Sequence, residues 1–299
     1  MRTFLRWVIL LFIIGIVGTV ASLQVTGAFT KETIEVFEEK SFNGSTIDTF
    51  HVDTSSADIY IEPSEDQSIY VQWGGHASKG VWEDYELTTK EEGNELSIKL
   101  RQKDLLGFQF GLLQRDLKLT VKVPEKLYET INGSSSSGDV VVLKQQAKRL
   151  QLKTSSGDIE LKEITSSEKL VTRSSSGSIY LTKVSADRID TDTSSGDVMG
   201  KGVNVVDIIG DSSSGTIDYR VLTLKGDLIL KTSSGDVHLD FEQVPNSYSI
   251  EYQSSSGDER VNLDGVEYDR KAEHEVVGQK GNGDQRIEIH TSSGDFSAQ

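Results

Sequence analysis

Thr154-Ser155-Ser156-Gly157-Asp158-Ile159 decides how the rest of the chain is read, because it recurs. Ser-Ser-Gly followed by Asp, Ser or Thr is centred on Gly138, Gly157, Gly177, Gly196, Gly215, Gly235, Gly257 and Gly294. A degenerate copy, Thr54-Ser55-Ser56-Ala57-Asp58-Ile59, lies far upstream. The first seven glycines are 19, 20, 19, 19, 20 and 22 residues apart. A fixed period near twenty residues marks a solenoid, in which each repeat stacks on the next.

Working outward from Gly157, Leu150 and Leu152 lie seven and five residues before it, and Thr154 and Ser156 three and one before it. Ile159 and Leu161 follow at two and four. The next copy fills the same columns with Leu170, Thr172, Ser174, Ser176, Ile179 and Leu181, and a later one with Leu228, Leu230, Thr232, Ser234, Val237 and Leu239. Between them stand Gln151, Lys153, Ser155, Asp158 and Glu160. Period-two alternation means strands with one face inward. The phase shifts by one residue across Ser-Ser-Gly, so a bend is expected there, with glycine supplying a positive φ. The remainder of each repeat, such as 163–169, forms the return turn. Each rung then has two short strands and two turns, and rungs about 4.8 Å apart give a rod roughly 29 Å long over six steps. The expected fold is an all-β, single-stack β-solenoid of 19- to 20-residue rungs, with a β-rich N-terminal cap and one N-terminal transmembrane helix.

Composition agrees. The 299 residues allow one elongated domain or two small ones. An apolar content of 35% is low for a compact globule but enough for a thin solenoid with serine-lined corners. Three prolines and 27 glycines suit stacked strands with many bends. The absence of cysteine removes a disulfide framework, a thiolate metal site, thiol chemistry and a lipidated-cysteine anchor. A formal charge of −16 argues against nucleic acid and anionic lipid surfaces as main partners.

Residues 1–31 carry Arg2 and Arg6, then an uncharged run at 7–23, WVILLFIIGIVGTVASL. At 1.5 Å per residue that run spans about 25 Å, close to a hydrocarbon core of about 30 Å. Basic residues precede it and the next one is Lys31, so the positive-inside rule puts the N-terminus in the cytoplasm and the remainder outside. The rival is a cleaved signal peptide, for which Thr19-Val20-Ala21 is a passable small-residue site. Residues 32–45 read as a charged, irregular stalk. Residues 46–130 read as a β-rich cap, with strands expected at 46–52, 59–62, 68–73, 85–89, 95–100 and 117–123. Lys90-Glu91-Glu92-Gly93-Asn94 is the turn of a hairpin there. Residues 131–260 are the regular solenoid. Residues 261–299 supply a charged, Gly-punctuated hairpin and a last Thr-Ser-Ser-Gly-Asp copy as the C-terminal cap. The C-terminus carries neither a second hydrophobic span nor a wall-sorting tail. The most apolar stretch outside the span, 105–113, sits in the cap, where it either covers the first rung or touches a membrane-proximal partner.

Thr120-Val121-Lys122-Val123-Pro124, a strand ended by proline, followed by the copies from Gly138 to Gly294, resembles a bacterial family of unknown function whose members are labelled candidate adhesins. The match covers residues 46–299. With the single N-terminal span the layout resembles the LiaG-like proteins, membrane-anchored and encoded beside a cell-envelope stress two-component system. The resemblance implies an envelope location and brings no catalytic residues with it.

For chemistry, the best candidate is the aspartate column after the glycine: Asp139, Asp158, Asp197, Asp236, Asp258 and Asp295. Adjacent rungs would set such carboxylates about 5 Å apart, the separation used by retaining glycosidases. The plainer reading is a repeated structural task, turn hydrogen bonding or solubility, and Ser178 and Thr216 break the column. His51, His76, His238, His274 and His290 show no metal-ligand spacing, and no G-x-S-x-G elbow occurs. The expectation is a non-enzyme with no catalytic, cofactor or metal residues, membrane-anchored and extracytoplasmic. Its role at the cell envelope is structural or interactive, linked to envelope stress. Its partners are the membrane, with another envelope protein or a cell-wall polymer, and no nucleic acid. The alternatives are a carbohydrate-active enzyme on the same scaffold and a secreted adhesin binding a surface polymer.

Overall fold

A computed structural model describes residues 33–78, 82–103, 115–272 and 274–299. The expected membrane span at 7–23 and the apolar stretch at 105–113 lie outside the described residues. Those described are nearly all strand: β1 (Thr33–Asn43), β2 (Thr49–Thr54), β3 (Asp58–Pro63), β4 (Ser68–Ser78), β5 (Tyr85–Glu92), β6 (Glu95–Gln102), β7 (Arg115–Val123), β8 (Leu127–Ser135), β9 (Val140–Leu143) and β10 (Gln146–Lys153). Three long strands follow, β11 (Ile159–Ser174), β12 (Ile179–Thr193) and β13 (Val198–Ser212), then β14 (Ile217–Leu224), β15 (Leu228–Thr232), β16 (Val237–Phe241), β17 (Tyr248–Gln253) and β18 (Glu259–Val261). The chain ends with β19 (Glu267–Ala272), β20 (Glu275–Lys280), β21 (Gln285–His290) and β22 (Phe296–Ala298).

The strands pair in two columns. The first holds β6 and the strands that lead into the Ser-Ser-Gly copies and the degenerate Ser-Ser-Ala one, in the order β6, β2, β8, β10, then the second halves of β11, β12 and β13, then β15, β21 and β17, all parallel. The second holds β7 and the strands that leave those copies, in the order β7, β3, β9, the first halves of β11, β12 and β13, then β14, β16, β22 and β18. Like residues sit over like: Leu150 pairs with Leu170, Leu170 with Ile189, Ile189 with Ile208 and Ile208 with Leu228. These side chains and their counterparts Ile159, Ile179, Val198, Ile217 and Val237 form one continuous core between the columns. Each such burial contributes about 1.5–3 kcal/mol.

One core position shows how the rungs differ without breaking the stack. Tyr219 is fully buried, and its ring fills the space left by Gly200, whose Cβ would lie 2.3 Å from it. Its hydroxyl meets Thr191 Oγ1 at 3.1 Å, so a polar core residue is matched to the one polar tip it must satisfy.

Several sequence expectations are corrected. The six strands expected between 46 and 123 are present, and β5 and β6 form the hairpin. However, β2 and β3 are a rung inside the stack, between β6–β7 and β8–β9. The last copy is likewise no outer cap, because β21 and β22 enter between β15–β16 and β17–β18, and antiparallel β20 and β19 extend the first column beyond β17. Within the stretch read as an irregular stalk, 33–43 is strand: β1 pairs antiparallel with β4 along its length, and β4 with β7. Alternation within Thr-Ile-Glu-Val-Phe-Glu explains it, since Val36 is buried while Phe37 points outward. At this end Trp73 stacks on Trp82 with ring centroids 3.8 Å apart, and Lys40 Nζ reaches across to the Leu87 carbonyl of β5 at 3.0 Å.

Candidate functional site

The corner comes first, because it fixes where every other side chain points. The residue three before each of the eight glycines is Thr or Ser; Ser135, Thr154, Ser174, Thr193, Ser212, Thr232 and Thr291 are buried and Ser254 is half-buried. Its hydroxyl accepts the glycine N–H of its own rung, as Gly157 N–H to Thr154 Oγ1 at 3.1 Å and Gly177 N–H to Ser174 Oγ at 2.9 Å. It then donates to the glycine carbonyl of the rung before, as Thr154 to Gly138 at 3.2 Å and Thr193 to Gly177 at 3.1 Å. The two serines that follow, such as Ser155 and Ser156, are exposed. The phase break therefore falls after Thr154, and Ser156 and Ser176 face outward rather than inward as the alternation predicts.

The glycine is not there for a positive φ, since none of the eight corner glycines lies in the left-handed region. It is there because rungs touch backbone to backbone: a Cβ on Gly157 would sit 2.2 Å from the Gly138 carbonyl oxygen, and one on Gly196 would sit 2.1 Å from that of Gly177. The stacking order is Ala57, Gly138, Gly157, Gly177, Gly196, Gly215, Gly235, Gly294, Gly257. Ala57 heads the series, and the sequence between β6 and β7 carries no further Ser-Ser-Gly copy. Left-handed residues occur instead at the opposite turn, six residues after the glycine: Lys144, Glu163, Lys183 and Gly202, with φ of 52°, 58°, 54° and 72°.

The aspartate column is a ladder. Asp139 N–H donates to Asp58 Oδ1 at 3.0 Å, Asp158 N–H to Asp139 Oδ1 at 2.8 Å, and Asp295 N–H to Asp236 Oδ1 at 2.8 Å. Asp258 N–H donates to Asp295 Oδ1 at 2.9 Å. Ser178 keeps the same task with its hydroxyl, accepting from Asp197 N–H at 3.2 Å. The carboxylates thus hold rung to rung and are not brought together around a substrate. The histidines are dispersed: His51 lies between Asn132 and Glu95, His238 bonds Ser297, His274 the Gly257 carbonyl, and His290 Glu288. Among the described residues no three His, Asp or Glu side chains converge as metal ligands.

The local exception lies four residues before the glycine, on the outer face of the first column. Successive rungs there carry Lys153, Arg173, Asp192, Asp211, Lys231 and His290. Arg173 Nε approaches Asp192 at 3.7 Å. Asp211, the next rung along, sits in a hollow of about 290 Å³ lined by Asp192, Lys231, His290, Ser213 and Ser233. Burial pushes its carboxyl above the ordinary value, the Asp192 carboxylate adds to this, and Lys231 opposes it. One rung over, Asp190 is held by Lys169 at 2.5 Å and Arg188 at 2.8 Å. Two neighbouring carboxylates between cations, ringed by hydroxyls, suit a hydroxyl-rich or amine-bearing ligand. Sequence reasoning passed over them because these positions read only as polar residues between inward ones; aligning the copies by column would have exposed the Asp192–Asp211 pair.

An all-β repeat protein of solenoid-like build, with its polar corners satisfied internally and an open outer face, is the class these features define. The chain belongs to the Toastrack DUF4097 family, whose description matches residues 47–298. Among solved structures it is similar to a candidate adhesin from Bacteroides fragilis, with 12% identity, a TM-score of 0.54 and coverage of 88% of this chain and 97% of that one. It is also similar to a candidate adhesin from Parabacteroides merdae, at 11% identity, TM-score 0.37 and 88% and 96% coverage. A candidate lipid-binding protein from Parabacteroides distasonis shows 15% identity, TM-score 0.42 and the same 88% and 96% coverage. No curated protein matches the sequence. At 12% identity the likeness to the Bacteroides fragilis protein speaks for the fold alone.

Proposed function

We propose that the chain is a single-stack solenoid carried on one N-terminal membrane span, its N-terminus in the cytoplasm and its repeats outside. There it serves a structural and interaction role at the bacterial cell envelope, in the manner of the LiaG-like proteins and linked to envelope stress. The observation that carries the interaction reading is the outer face of the first column. It presents one side chain per rung, at steps of about 4.8 Å, while the corner groups beneath are already hydrogen-bonded within the protein. A partner with a repeating surface, such as a cell-wall polymer or another envelope protein, fits such a face, and the candidate adhesin that shares the fold points the same way. The span rests on Arg2 and Arg6 before the uncharged run at 7–23. Protease added to intact, wall-stripped cells should digest the chain beyond residue 32, and a mature protein beginning near Ser22 would defeat the anchor. Photo-crosslinking groups placed at positions 192 and 231 in living cells should capture the partner, whereas groups at Asp139 should not.

A polysaccharide-cleaving enzyme is the second reading, favoured by the Asp192–Asp211 pair with its raised carboxyl. Release of reducing ends from wall polysaccharide by the wild type, abolished by Asp211→Asn, would establish it; no release by either leaves the binding role.

A further inference from the structure

A second hollow, of about 400 Å³, lies on the outer face of the second column, at the β1–β4–β7 end and away from the Asp211 row. Its floor is Gly74 and Gly75 of β4, which contribute no side chains. Phe37 of β1 pairs directly with Gly74 and stands beside this floor 65% exposed, the most exposed large apolar side chain among the described residues. Around it are Glu35, Gln72, Lys118 and Thr120. Gln72 donates its amide N–H to Glu39 at 2.6 Å, a bond that does not use its side-chain carbonyl oxygen as acceptor. Lys118 Nζ lies 5.5 Å from the Tyr60 ring centre, and its ammonium can donate to a ligand in the hollow. A phenyl ring that served only to cover a cross-strand glycine would lose most of its surface to it; this one does not.

We infer that this hollow is a saccharide-binding subsite in which the apolar face of a pyranose ring stacks on Phe37 and its hydroxyls meet Glu35, the Gln72 carbonyl, Lys118 and Thr120. A sugar ring is the ligand that needs both halves at once: a flat apolar platform and a rim of mixed donors and acceptors. A bilayer is disfavoured, because Glu35 and Glu39 flank Phe37 on the same face of β1. The inference is independent of where the chain resides in the cell, since it concerns purified protein.

The test uses the full-length chain in a sugar-free detergent, titrated with β-1,4-linked oligomers of N-acetylglucosamine and of glucose. Tryptophan emission reports binding, since Trp73 lines the hollow and stacks on Trp82. Binding of at least one oligomer is expected, weakened about tenfold or more by Phe37→Ala and retained by Phe37→Tyr, with the melting temperature unchanged in both. Equal binding by Phe37→Ala, or no binding of either oligomer at about 10 mM, overturns the inference. So does a marked fall in melting temperature in Phe37→Ala, which would assign the ring to packing on Gly74. Phe37-dependent binding to phosphatidylglycerol–phosphatidylcholine vesicles without saccharide binding would overturn it in favour of a lipid contact.

Discussion

At the scale of single residues, the corner shows that one amino acid can be required for different physical reasons at two ends of the same rung. Gly196 is required because its neighbour's carbonyl occupies the volume a Cβ would need. Gly196→Ala should therefore cost about 2–3 kcal/mol through forced separation of rungs, read from urea midpoints, while Ser195→Ala on the exposed serine beside it should stay within about 0.5 kcal/mol. Equal midpoints would remove the close-approach account. Lys183 is the opposite case, a lysine at φ 54°. Left-handed backbone costs a side chain roughly 1–2 kcal/mol and glycine loses about 0.5–1 kcal/mol in entropy, so Lys183→Gly should stabilise by about 0.5 kcal/mol. The ion pair it removes, to Glu163 at 3.5 Å, is exposed and worth little. Asp211 gives a pH prediction. Its carboxyl is raised in the folded state, so its contribution to stability is fully present below the unfolded value, near about 3.9, and is lost as pH rises through the higher folded value. Asp211→Asn, which stays neutral, should melt higher than wild type at pH 7, and the gap should close on acidification towards pH 4. A gap that widens on acidification would contradict the assignment.

At the scale of the element, a rung is interchangeable with its neighbours because like pairs with like. Removing residues 178–196, one full period, should leave a folded, shorter protein with an unchanged β-sheet circular dichroism signature. Removing 178–187 should not, since it takes the second-column strand and the return turn from one rung and leaves its first-column strand without them. The deletion would take Thr191 from Tyr219, but Thr172 pairs with Thr191 in register, and its buried Oγ1 currently has no hydrogen-bond partner. It would inherit the tyrosine hydroxyl. This repeat logic was legible in the sequence: the period, the inward leucines and isoleucines, and the hairpin around Gly93 all follow from residue type and spacing. The phase of Ser156 was not, because a buried threonine hydroxyl and an exposed serine hydroxyl look alike in a list of letters. The reason for the corner glycine was also hidden, because close approach of two backbones is a property of the stack and no single copy shows it.

At the scale of the whole molecule, spatial order departs from chain order at both ends, and no periodicity announces it. The copy at Ala57 and the copy at Gly294 read as outliers by distance along the chain, yet each lies between two other rungs. The same blindness hid both hollows. The Asp211 row spans rungs up to the last copy, and the Phe37 floor joins β1 to β4 across 37 residues, as the Phe37–Gly74 pair shows. Truncation after residue 284 should therefore do more harm than loss of fifteen residues from an outer edge would, since β15, β16, β17 and β18 all lose a partner. Pulse proteolysis of the truncated and complete chains should show the truncated one largely cleaved; equal survival would show that β17 and β18 can pair without the last segment.

That inserted last segment also sets a clock. A ribosome delivers β21 and β22 after β15 to β18, so β15–β16 and β17–β18 cannot find these neighbours until the later segment has been made. The middle rungs can zip as they emerge, each needing only the one before it. Closure of that end of the stack waits for residues 285–299, which hold β21 and β22. A chain exported as it is synthesised would thus keep that end of the stack open until residues 285–299 have emerged, and would close it only on the side of the membrane where they arrive.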